Sequence, residues 1–242
     1  MSIASEIERI QNAKSSIKTA IENKGVEVGN GTIDTYASKI NEITSGDVNI
    51  MDLFPYTQSV VFDNDISDIT EDITLHLERA TTLYTIFDQK NINCSKITIY
   101  ISNTCTNARR SFRGTNNDEV FKEVELIGDT SGLNDVRDMF LYRKSLERII
   151  GQFDFRNITA TSGMFNNCSS LKEFTPVANT IKTTINFGNS SLLTDTTIQS
   201  IIDGLADLTG ATAQTLTFHA DVKANLSDEQ IASITSKNWT LA

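Results

Sequence analysis

Apolar positions along the chain follow two different periods. From residue 2 to residue 23 they recur at helical spacing: Ile3, Ile7, Ile10, Ile17 and Ile21, with Lys14 completing an unbroken heptad. That spacing lays one apolar stripe along an amphipathic helix. Isoleucine at both seam positions favours three-stranded coiled coils, and a lone polar seam residue can fix register. These five isoleucines are therefore the candidate oligomerisation or docking residues. Gly25, Gly29 and Gly31 end the pattern, and Ile33, Tyr36, Ala37, Ile40 and Ile43 begin a second helical face. Two such stripes can bury each other as an αα-hairpin. A hairpin is the preferred reading of residues 1–45, with trimerisation open through any isoleucine surface it leaves uncovered.

Beyond a short polar joint (44–52, the linker itself 46–52) the period changes. QSVVF at 58–62 and ITLHL at 73–77 have strand character, the second by alternation. Thr82–Gln89 predicts a short helix with Leu83, Ile86 and Phe87 facing inward. One phrase then returns with different side chains: SKITIYIS at 95–102, FKEVELIG at 121–128, KSLERIIG at 144–151 and SSLKEFTP at 169–176. Met139-Phe140, Leu146 and Ile149 are repeated 25 positions on as Met164-Phe165, Leu171 and Phe174. Lys96 and Lys122 align the first two copies at 26, Leu126 and Ile149 the next at 23, and Ser191-Leu192 is a looser echo 21 after Ser170-Leu171. Periods of about 20–29 around L-x-x-L characterise leucine-rich-repeat solenoids, whose strands are too short to bury an apolar side alone and so stack. The expected fold is α+β: an N-terminal helical module, an irregular leucine-rich-repeat solenoid over 53–193 with its own N-terminal cap, and an α/β cap over 194–242. In that last module Thr194-Asp195 starts a helix buried through Ile198, Ile201, Ile202 and Leu205. TLTFH at 215–219 is a strand. Ser227-Asp228-Glu229-Gln230 forms a capping box with Leu226 and Ile231 as its staple, and Trp239 plugs the end of the core.

Charge narrows the function classes. The formal net charge is -10, and nucleic-acid affinity rests on neutralising phosphates with Lys and Arg. The one basic knot, Arg109-Arg110 with Arg113, is too small to reverse that; nucleic acid and anionic lipid are both disfavoured. Residues 1–23 lack a secretory-signal pattern, and no stretch reaches the roughly 18 apolar residues of a membrane span. The expectation is a protein made in a cytoplasm, without membrane insertion.

Candidate chemistry is sparse. His76 and His219 have no Asp, Cys or second His at ligand spacing, so no metal is expected. DNDISD at 63–68 suggests a calcium loop, but Asp68 stands where Gly is required and Thr74 where the bidentate Glu belongs. Cys94, Cys105 and Cys168 are odd in number without C-x-x-C, and Cys168 in NNCSSL reads as a structural thiol at a strand corner. Gly29-x-Gly31 follows no strand. Carboxylates such as Glu119, Glu123, Glu125, Glu147 and Glu173 fall at alternate strand positions, where polar side chains face solvent. The expectation is no enzyme and no cofactor.

Three stretches carry a resemblance. Residues 3–43 (IASEIERIQNAKSSIKTAIENKGVEVGNGTIDTYASKINEI) resemble an N-terminal module of many phage tail, baseplate and fibre-associated proteins. Residues 192–242 resemble the C-terminal module of the same group, which ends DEQ-x-A…K-G-W-T-L-A; Asn238 stands in place of that Gly. The MF-NNCSSLKEF phrase is similar to BspA-type leucine-rich repeats. The resemblance implies a virion component of a phage tail tip or baseplate, or of a phage-derived particle, assembled in the host cytoplasm. Its helices would dock to other tail proteins, and its repeats would face a host-surface protein or glycan. It leaves the receptor-binding residues unknown and a homotrimer as the oligomer to test. A purely architectural baseplate subunit, a BspA-like bacterial adhesin and an envelope hydrolase are the competing readings.

Overall fold

The structure, a computed structural model, describes residues 3–23, 26–28, 68–115 and 120–242, without the side chains of 3–10 and Asp68. The expected second helix at 33–43, the 46–52 linker, the strand at 58–62, the acidic loop at 63–67, Gly29, Gly31 and Glu119 lie outside the described residues. Helix α1 spans Ile3–Asn23 as its spacing predicts. At its end Ile17 and the buried Ile21 pack with Val26 and Val28.

Seven short strands follow: β1 (Asp68–Ile69), β2 (Ile73–His76), β3 (Asn91–Ile92), β4 (Lys96–Ile101), β5 (Glu123–Gly128), β6 (Arg148–Phe153) and β7 (Glu173–Pro176). β1 pairs with β3, and the others form a parallel sheet in the order β2-β4-β5-β6-β7. Register runs Ile73, Ile97, Val124, Ile149, Phe174. All four phrases thus lie side by side in chain order. The 25-residue offset holds for the last pair, but two sequence alignments slip. Lys96 pairs with Glu123 rather than Lys122, and Ile149 with Val124 rather than Leu126. Strand register follows the side that is buried, not matching polar letters. For the same reason the echo of Leu171 is Leu193, 7% exposed, while Leu192 is 51% exposed.

Opposite the strands, the expected helix at Thr82–Gln89 is absent. Leu83, Ile86 and Phe87 do face inward and are fully buried, but the backbone is a run of overlapping turns. N–H groups of Ile86, Asp88 and Lys90 close onto the carbonyls of Leu83, Thr85 and Phe87, three residues back. The alternate N–H groups of Leu83, Thr85, Phe87 and Gln89 donate to Asn107, Arg109, Ser111 and Arg113 in the next rung. Residues 108–114 repeat this onto 135–141, and 136–142 onto 160–166. Every backbone donor is used, half locally and half between rungs, as burial requires. Left-handed backbone recurs at equivalent places: Thr85, Arg110, Asp138 and Gly163, then Gln89, Tyr142 and Asn167.

Between the strand side and the turn side runs an aromatic column. Phe87, Phe112, Phe140, Phe165, Phe187 and Phe218 follow one another at centroid separations of 5.3, 5.5, 5.9, 4.6 and 6.2 Å. Its last two members belong to a second parallel sheet, β10-β9-β8, made of β8 (Ile185–Phe187), β9 (Gln214–Phe218) and β10 (Trp239–Leu241). The same module holds helices α2 (Asp195–Gly204), α3 (Ala220–Ala224) and α4 (Asp228–Ser236), of which α2 packs on β7 and α4 on β10. The predicted caps form: Thr194 accepts from the Thr197 N–H, and Ser227 and Gln230 close a capping box. Trp239 is buried as the expected plug, its Nε1–H donating to the Ala206 carbonyl at 2.9 Å. Arg143, unanticipated from sequence, is fully buried. Its guanidinium donates to the carbonyls of Phe112, Phe87, Lys90 and Arg113 and lies 5.4 Å from the Phe121 ring centre. It gathers two adjacent rungs at the point where their turns end.

Candidate functional site

Alternation along the strands turns Ile97, Ile99 and Ile101 into the core and puts Lys96, Thr98 and Tyr100 on the opposite face, where Thr98 is itself covered. Neighbouring strands repeat this, so outward side chains form rows across the five-stranded sheet. One row reads Lys96, Glu123, Arg148, Glu173. Lys96 Nζ lies 2.9 Å from Glu123 and 2.7 Å from Glu125. Arg148 Nε donates to Glu123 at 2.9 Å, and the Thr98 hydroxyl to Glu125 at 3.1 Å. Beside it, Glu147 sits between Lys122 at 3.2 Å and Lys172 at 2.7 Å. At the start of the sheet Asp72 accepts the backbone N–H groups of Ser95 and Lys96, both at 2.8 Å.

Glu123, Glu125 and Glu147 are thus each satisfied by neighbouring cations. Burial works against ionisation of Glu123, but hydrogen bonds from Lys96 and Arg148 outweigh it and hold the carboxyl below its ordinary range. Lys172 and then Lys122 do the same for Glu147. Lys96 is held above the usual lysine range by Glu125 and Glu123. Sequence spacing predicts that these carboxylates simply face solvent; instead Glu123, Glu125 and Glu147 are each bound to lysine or arginine. A carboxylate gripped by two cations is a weak proton acceptor, so this row orders a surface and is poorly built for acid–base work.

Toward the other end of the strands the face carries more aromatic and aliphatic surface. His76 stacks on Tyr100 with centroids 4.2 Å apart and planes 11° from parallel, and His76 Nδ1 lies 3.2 Å from Glu78. Tyr100 is in register with Ile127, and Ile150 stands beside Glu125; all four are half-buried. Gln152 and Thr175 are exposed in the next register pair.

Gly128 ends β5 at a φ of 112°, and Gly151 lies within β6 at a φ of 104°, where the register with β7 shifts. A Cβ on either would stand 2.1 Å from the carbonyl oxygen of Ile101 or Leu126 in the preceding strand. Only glycine lets the rungs approach there.

The remaining sequence candidates fall elsewhere. Burial pushes the thiols of Cys94 and Cys105 up to about 11 and that of Cys168 to about 12, so each is a protonated core group; Cys168 donates to the Phe140 carbonyl at 3.1 Å. His219 caps α3 by accepting the Asp221 N–H. Two arginines of the basic knot are held in ion pairs: Arg113 with Asp88 at 2.5 Å and Arg110 with Asp138 at 3.6 Å. Among the described residues no cluster of three His, Cys, Asp or Glu could hold a metal ion, and no helix is long and apolar enough to cross a membrane. Of the isoleucine seam, Ile17 and Ile21 meet Val26 and Val28; the side chains of Ile3, Ile7 and Ile10 lie outside the described residues.

Comparison with family models, with curated proteins and with solved structures finds nothing that matches this chain.

Proposed function

We propose that the chain is a structural component of a phage tail tip or baseplate, or of a phage-derived particle, built around a leucine-rich-repeat solenoid. Helix α1 and the segment after it attach the protein to the tail, and the outward face of the five-stranded sheet contacts the host surface. The observation that carries the binding role is the division of that face. Glu123, Glu125 and Glu147 on it are paired with lysine or arginine, which fixes those side chains without demanding a counter-charge from a partner. Its His76–Tyr100–Ile127–Ile150 patch offers an aromatic and aliphatic surface of the kind enriched at contact sites. The assignment to a tail rests on the resemblance of 3–43 and 192–242 to phage tail modules.

The test is binding of the full-length protein to cells of a panel of candidate host strains, with Tyr100→Ala and Ile150→Asp as the informative variants. Saturable binding to some strains, reduced at least tenfold by either substitution, supports receptor contact. Self-paired charges equally suit a face buried against another tail protein. If no strain binds and both variants fail to enter particles, the architectural reading replaces the receptor reading. If neither binding nor incorporation responds, the sheet face is not the site.

A further inference from the structure

We draw no further inference here: the strongest candidate, the groove of about 580 Å³ between α2, α3 and α4, is lined mainly by polar residues, its acids are exposed first-turn residues of those helices, and nothing in the structure shows what occupies it.

Discussion

The strand side and the turn side of each rung do the same job with different sequence grammar. Both are parallel ladders of backbone hydrogen bonds between successive rungs, and both bury large apolar side chains on the aromatic column. On the strand side, Ile97-Ile99-Ile101 and Val124-Leu126 alternate with polar residues, so the period announces the conformation. On the turn side, Leu83-Ile86-Phe87 and Val136-Met139-Phe140 have the i, i+3, i+4 spacing of a helix. Yet no helix forms there. Overlapping turns and an α-helix place the same positions inward, and what distinguishes them is where alternate N–H groups go. In the turns, half of them leave the rung.

That difference sets how each side should break. The largest effect is expected where rungs approach most closely on the strand side. Gly151→Ala adds a Cβ 2.1 Å from the Leu126 carbonyl oxygen at a φ of 104°. Both faults act together, and the cost should be about 4 kcal/mol or more, enough to threaten folding. Denaturant unfolding measures it; a loss under about 1 kcal/mol would mean the strands do not stack at this distance.

On the turn side the corresponding weak point is Arg143. Replacing it with Met keeps the bulk but withdraws the cation from the carbonyls of Phe112, Phe87, Lys90 and Arg113. A loss of about 3 kcal/mol is expected, because hydrogen bonds from a charged donor to buried acceptors are replaced by nothing. Arg143→Lys should recover only part of this, having no planar fork to reach several carbonyls at once. Full recovery by lysine would show that charge alone matters.

Glu123 tests the paired face of the strand side. Its carboxyl is held below its ordinary range in the fold, so its contribution is present above the unfolded-state value, roughly 4.3, and disappears as pH falls through the lower folded-state value. Glu123→Gln should cost about 1 kcal/mol at pH 7, and the gap between wild type and variant should close on acidification from pH 5 to pH 3. A gap independent of pH would mean that packing, not the ion pairs with Lys96 and Arg148, sets the cost.

How much of this was visible in the residues follows the same divide. Strand order, inward residues and the C-terminal caps follow from alternation and from Thr194 and Ser227, because those signals are local. The exact register does not: Lys122 matches Lys96 by letter, and only burial of Val124 reveals the slip. The charged rows become readable once register is known, as Lys96, Glu123, Arg148 and Glu173 then alternate in sign. Arg143 gave no signal, since a buried arginine and a surface one look alike in RKSLERII. The turn ribbon was hidden most deeply. Its left-handed positions hold Thr85, Arg110, Gln89 and Tyr142, and only Asp138, Gly163 and Asn167 carry familiar turn chemistry. Hydrogen bonds between rungs impose the left-handed backbone on residues that do not favour it.

Gln89 offers the smallest effect and the sharpest distinction between the two sides' grammars. It is exposed, has a φ of 56°, and donates its backbone N–H to the Arg113 carbonyl at 2.8 Å. Were 82–89 a helix, Gln89→Gly would be about 1 kcal/mol less stable than Gln89→Ala. In a left-handed turn the order reverses. Alanine keeps the Cβ penalty of about 1 kcal/mol that glycine escapes, and glycine's greater unfolded-state entropy takes back part of the gain. The glycine variant should therefore be the more stable by a few tenths of a kcal/mol up to about 1 kcal/mol, read as the difference between two thermal midpoints. Because neither substitution touches a packed side chain, the sign of that difference reports backbone conformation alone. An alanine variant that outlasts the glycine one would return the turn side to the helix its sequence imitates.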